Sequence, residues 1–200
     1  MQPYSTPKCM QSGMNSEGSS PAKQAYIMGL KKYRDGDLKA ACPYFSQAID
    51  GGIDDFDILY YRGMCHLEAG DYQLALIDFE VLVRQQPENP EYLFRRGFVH
   101  YKLGMSTEAI RDLALVPEDF DDCSIRWHYL AVLFYKLGDY EAALGAIEKA
   151  LTKFPTMPKI WFNAGVILAA MNLNDRADLA FVTASKIDSR LTNASRMILE

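Results

Sequence analysis

Small and bulky apolar residues recur along this chain with a long period. Gly29, Gly63, Gly97, Ala131 and Gly165 follow one another at intervals of 34 residues. Twelve positions after each comes an alanine: Ala41, Ala75, Ala109, Ala143 and Ala177. Four positions later stands a bulky apolar residue, Phe45, Phe79, Leu113, Ile147 or Phe181, and three later again Ala48, Leu82, Val116, Ala150 or Ala184. Small residues let two helices approach closely, and the bulky one fills the space beside them. A 34-residue period of this kind predicts a stack of helical hairpins, in blocks 22–55, 56–89, 90–123, 124–157 and 158–191.

The polar positions punctuate the blocks. Gly36-Asp37, Gly70-Asp71 and Gly138-Asp139 pair a helix-ending glycine with a helix-starting aspartate. Glycine accepts the left-handed backbone just past a helix, and aspartate accepts a hydrogen bond from a free N–H of the next. Block three offers Gly104 and Ser106 for these roles, and block five Asn172 and Asn174. Pro87 and Pro155 mark the ends of blocks two and four. Each block therefore reads as helix A, a tight turn, helix B and a short link. Block three is expected to be irregular. Pro117 falls where its helix B should still be running, so that helix should stop near Val116, ahead of an acidic loop over 118–122.

The pattern resembles the tetratricopeptide repeat family. Block four carries the resemblance best, with Trp127, Leu130-Ala131, Phe134, Gly138-Asp139-Tyr140, Ala143, Ile147, Ala150 and Pro155. Block two follows with Gly63, Gly70-Asp71-Tyr72, Ala75, Phe79 and Pro87. The resemblance covers residues 22–191 and implies an all-α, right-handed superhelical solenoid of antiparallel helix pairs. It leaves residues 1–21 as a disordered tail and 192–200 as a short capping segment. The tail is rich in Ser, Gly, Pro, Gln and Met and lacks a helical period.

In this family helix A lines a concave groove, and block positions 2, 5, 9 and 12 tend to face it. Position 5 holds Tyr26, Tyr60, Phe94, His128 and Phe162. Position 9 holds Leu30, Met64, Phe98, Val132 and Val166, and position 12 holds Tyr33, Leu67, Tyr101, Tyr135 and Ala169. One reading is that these residues pack between adjacent A helices and expose little. The other is an apolar groove for a partner peptide or helix, with Tyr60, Met64, Phe94, Phe98, Tyr101, His128, Val132, Tyr135 and Phe162 as the contact set. The clamp with which some family members grip a chaperone's terminal carboxylate is not matched. Only Arg95 fits it in blocks one to three, nothing fits in blocks two to four, and only Lys159 fits in blocks three to five.

Composition narrows the function. Net charge is −5 and basic residues form no stripe, which argues against nucleic acid as the partner. No apolar run has the length of a membrane span, and the N-terminus lacks a secretory signal pattern. Cys9, Cys42, Cys65 and Cys123 have no C-x-x-C spacing and read as reduced thiols of a cytoplasmic or nuclear protein. His66 and His100 occupy equivalent places in consecutive blocks and read as packed rings standing in for tyrosine. No metal site, cofactor fingerprint or catalytic constellation is legible. The expectation is a non-enzymatic interaction module: an adaptor, scaffold or chaperone-like protein holding an apolar peptide or amphipathic helix. The alternative is a structural subunit, or a self-associating protein, whose groove and edges are permanently covered.

Overall fold

The structure, a computed structural model, describes residues 20–120 and 124–190. Ten helices occupy them: α1 (Pro21–Arg34), α2 (Leu38–Asp50), α3 (Phe56–Ala69), α4 (Tyr72–Gln85), α5 (Pro90–Lys102), α6 (Ser106–Leu115), α7 (Arg126–Lys136), α8 (Tyr140–Lys153), α9 (Pro158–Ala170) and α10 (Asn174–Ile187). They follow the expected order, odd-numbered helices as A and even-numbered as B. The expected tail gives up its last two residues to order, since Ser20 caps α1 and Pro21 is its first residue. The expected capping segment lies outside the described residues. The chain divides into two compact units, Met1–Arg62 and Gly63–Glu200, with the division inside α3.

In the first unit α1 and α2 double back on each other. Phe45 is fully buried between them. Its ring stacks on Tyr61 at 5.6 Å and meets Tyr26 and Tyr33 at 6.4 Å each. A Cβ placed on Gly29 would stand 2.8 Å from that ring, so only the absence of a side chain lets the helices come this close. In the second unit the same contact joins α5 to α6 and α9 to α10. A Cβ on Gly97 would lie 2.9 Å from Leu113, and one on Gly165 would lie 2.6 Å from Phe181. Block four makes the complementary choice, Ala131 with the shorter Ile147, both fully buried. Within this unit α5 packs on α4, α8 on α9, and α7 touches both α5 and α9.

The turns behave largely as the sequence implies. Gly36, Gly70, Gly104 and Gly138 all have φ between 75° and 82°, and Asn172 takes their place in block five at 60°. Asp37 and Asp139 accept N–H groups of Ala40 and Ala142 at 3.2 and 3.0 Å. Blocks two, three and five differ from expectation: Asp71 holds the cap position of α4 without a side-chain cap bond. Ser106 and Asn174 are the first residues of their helices, and Met105 and Leu173 occupy the cap position without a side-chain bond. An apolar side chain has no acceptor to offer there.

Proline 117 ends α6 early, as its missing N–H requires: the helix stops at Leu115, ten residues long. The break is held from the other side. Arg126, fully buried, donates from Nη2 to the Pro117 carbonyl at 2.8 Å, and its guanidinium lies 4.6 Å from the Trp127 ring. Lys149 covers Trp127 at 4.1 Å and pairs with Glu118. Pro43, by contrast, sits inside α2 without ending it.

The close glycine contacts make a graded prediction. Phe45 is ringed by three tyrosines and cannot retreat, whereas Phe181 is only half-buried. Overpacking costs about 1–3 kcal/mol, against about 1 kcal/mol gained from the better helix former. Gly29→Ala should therefore destabilise by about 1–2 kcal/mol in urea unfolding, and Gly165→Ala by less. Combining Gly29→Ala with Phe45→Ile, which copies block four, should cost less than the sum of the two single changes.

Candidate functional site

Helices α5, α7 and α9 carry most of the aromatic residues singled out from sequence, and the fold sorts them into two classes. Met64, Phe94, His128 and Val132 are buried, between 1% and 6% exposed. Phe98, Tyr101, Tyr135 and Phe162 are half-buried and present ring surface, as does Tyr60 in the first unit. The structure gathers Phe98, Tyr101 and His128 around Tyr129. Ring centroids lie 5.0 Å apart for Phe98–Tyr129, 5.1 Å for Tyr101–Tyr129 and 5.6 Å for His128–Tyr129. Tyr135 leans instead on Tyr140 at 5.6 Å, and Phe162 on Phe181 at 5.3 Å. Tyr129 was not in the sequence-derived set. It follows His128 directly, and only the helix stacking shows that it bridges two A helices.

Cations rim this cluster. Lys102 lies 5.4 Å from the Phe98 ring and 6.0 Å from that of Tyr101, and Lys136 lies 5.9 Å from Tyr101. Arg95 sits over Phe94 at 5.4 Å and pairs with Glu91. Burial raises the pKa of both Tyr101 and Tyr129, so the phenols stay neutral at physiological pH. For Tyr129, the nearby Tyr101 adds to the shift and Arg95 opposes it.

Behind the wall, a buried polar network fixes α5 on α6. Asp112, 1% exposed, accepts Arg96 Nε at 2.8 Å and Nη2 at 2.6 Å, and sits 3.0 Å from His100 Nδ1. Burial alone would raise the carboxyl's pKa. The hydrogen bonds from His100 and Arg96 outweigh it and hold the group below its ordinary value. His100 is thus more than a ring in place of tyrosine. The arrangement was readable one block earlier, where Arg62, His66 and Asp78 stand at the same block positions. On the far side, Arg96 borders an open cleft of about 430 Å³ with Glu80, Val83 and Arg84. Among the described residues no three His, Cys, Asp or Glu side chains converge as metal ligands, and no helix is long and apolar enough to cross a membrane.

Two predictions test the polar groups. Asp112→Ala leaves Arg96 and His100 facing an apolar gap and should cost about 3 kcal/mol. Adding Arg96→Leu and His100→Phe, which copies Leu130, Phe134 and Ala146 of block four, should recover most of that loss in the same unfolding assay. His128 is held at a pKa of about 4, first by burial and then by the charge of Lys159. Its Nδ1 has no hydrogen-bond partner. Between pH 6.5 and about 4 the unfolded chain takes a proton that the folded chain refuses, so stability falls as pH falls through this window. His128→Phe, the residue of blocks three and five at that place, should remove about 2 kcal/mol of the difference in unfolding free energy between pH 7 and pH 5.

Comparison with known proteins places this geometry. Models of the tetratricopeptide repeat match residues 28–90 and 126–167. The chain is similar to DnaJ homolog subfamily C member 3 of Gallus gallus, 21% identical over 152 residues that cover 70% of this chain and 30% of that protein. It is 34% identical over 94 residues to Tetratricopeptide repeat protein 34 of Xenopus laevis, covering 46% of this chain and 17% of that one. The chain thus spans less than a third of the length of these relatives. Among solved structures, MamA from Desulfovibrio magneticus RS-1 superposes with a TM-score of 0.75 at 20% identity, over 86% of this chain and 97% of that one. YrrB, described as a TPR protein with an unusual peptide-binding site, superposes with a TM-score of 0.72 at 20% identity, over 85% of this chain and 89% of that one. At such identities the likeness is one of fold, an all-α solenoid of helix pairs. With its 34-residue repeat, its ten helices in that order and its glycine-on-ring contacts, the chain belongs to the tetratricopeptide repeat family.

Proposed function

We propose that this chain is a non-enzymatic interaction module that holds an apolar peptide or amphipathic helix against the inner faces of α5, α7 and α9. One observation carries the reading: Phe98, Tyr101 and Tyr129 form a continuous ring cluster across two A helices while remaining half-buried. Rings of this size bury much area at small entropic cost when a partner covers them. Phe94, His128 and Val132 are buried on the same helices, and Met64 on α3. Tyr135 and Phe162 extend the wall toward block five. The fold's kinship with interaction proteins agrees with this role.

A second reading, a subunit of a larger assembly, draws on α10. Leu179, Val182 and Ile187 of that helix are 66%, 47% and 41% exposed. Large apolar residues left open on one helix suit a covered surface. The mass of the purified protein in solution separates the two readings, a monomer favouring the module and a stable oligomer the subunit.

The test of the groove is a peptide titration followed by backbone amide shifts. An amphipathic helical peptide selected from a display library on the intact chain should perturb α5 and α7. Phe98→Ala with Tyr101→Ala should weaken that binding about 30-fold or more, the order expected for a lost anchor. Thermal stability should change little. Perturbation confined to α4, α6 and α8, with no effect of the double change, would move the binding surface to the other side.

A further inference from the structure

The charge around the ring cluster specifies what kind of segment fits it. This inference rests on the groove reading and names its partner's chemistry. The chain as a whole carries net charge −5. A net positive charge is nevertheless gathered on one set of helices, because acidic residues are nearly absent from it. Helices α5, α7 and α9 carry six basic residues and one acidic one, whereas α6, α8 and α10 carry five basic and six acidic. Part of the surplus is already engaged: Arg96 binds Asp112, Arg126 is buried against Pro117, and Arg95 pairs with Glu91.

Lys102 and Lys136 are different. They are the last residues of α5 and α7, one block apart, and both side chains are exposed. Their ammonium groups converge on one ring, at 6.0 and 5.9 Å from the Tyr101 centroid. Among the described residues, no carboxylate stands within 4.0 Å of either ammonium. A basic residue in the last turn of a helix is favoured by the helix dipole. That accounts for a lysine at each helix end, not for two of them meeting over a shared aromatic face. An apolar side chain seated on Tyr101 and Phe98 would have two unneutralised ammonium groups on its flanks.

We infer that the groove takes an acidic segment: a peptide or helix with an apolar or aromatic anchor on Tyr101 and Phe98 and side-chain carboxylates beside it, paired with Lys102 and Lys136. No chain terminus is needed, because these lysines lie outside the positions of the terminal-carboxylate clamp. A carboxylate arriving here meets exposed ammonium groups already placed over half-buried rings, so the contact strengthens both encounter rate and register. Nucleic acid also favours basic residues among aromatics, but the overall acidity of the chain repels a polyanion.

The experiment compares three amidated peptides that share one leucine-rich amphipathic helix and differ only beside the anchor, carrying Glu, Gln or Lys. Binding to the intact chain is measured at 50 mM and 500 mM salt. The Glu peptide should bind about five- to tenfold tighter than the Gln peptide at low salt, and the Lys peptide weakest. The preference should shrink at high salt and disappear in the Lys102→Gln, Lys136→Gln double variant, which remains folded and melts within a few degrees of the wild type. Equal binding of all three peptides, still abolished by Phe98→Ala with Tyr101→Ala, overturns the acidic partner and leaves the groove intact. Failure of every peptide to bind overturns both. Tighter binding of a ten-nucleotide oligothymidine than of the Glu peptide likewise overturns the inference.

Discussion

A small residue on one helix set against a bulky apolar side chain sixteen positions later is the contact on which this structure depends. It is made by Gly29 with Phe45, Gly63 with Phe79, Gly97 with Leu113 and Gly165 with Phe181, with Ala131 and Ile147 as the remaining variant. Each pair sets how closely two helices of a hairpin approach. That separation fixes where the other faces of the A helices point, and with them Phe98, Tyr101 and Tyr129. The proposed interaction surface is therefore a by-product of the packing that these pairs set. The glycine does not touch a partner, yet it decides the plane in which the rings lie.

The polar groups obey the same constraint. Helices drawn this close leave little room for water, so a charged group between them must bring its own partners. Asp112 does so with Arg96 and His100, and Arg126 does so with the Pro117 carbonyl, which also accepts the Phe120 N–H. His128 lacks such a partner at Nδ1, and burial, followed by the charge of Lys159, keeps it neutral. Three buried polar sites in one kind of scaffold thus reach three electrostatic outcomes.

Much of this was legible in the sequence, because the repeat is a local signal counted five times. The glycine turns, the order of helices and the early stop before Pro117 all follow from residue type and spacing. The cap positions at Met105 and Leu173 were misassigned to Ser106 and Asn174, since a shift of one residue is decided by backbone geometry and not by preference. The Asp112 network was missed for another reason. Its members are 4, 12 and 16 residues apart on two helices, and helical periodicity reads only one helix at a time. The part of Tyr129 in the ring cluster depends on a neighbouring repeat and has no signature within its own. The same holds for which wall residues keep an open ring face, as Phe98 does and Phe94 does not.

The polar network has a bearing on how a chain of look-alike hairpins finds its correct arrangement. Each B helix could in principle dock on the A helix of the following block, since all present similar apolar faces. Helix α6 moved onto α7 in equivalent register would carry Asp112 to a site lined by Leu130 and Phe134, with neither guanidinium nor imidazole to receive it. An ionised carboxylate stranded in that way costs several kcal/mol, comparable to the whole stability of a small domain. A mistaken pairing is thereby rejected before it can compact. The Arg, His and Asp that blocks two and three share act as an address label against block four, from which the hydrophobic pattern alone does not distinguish them.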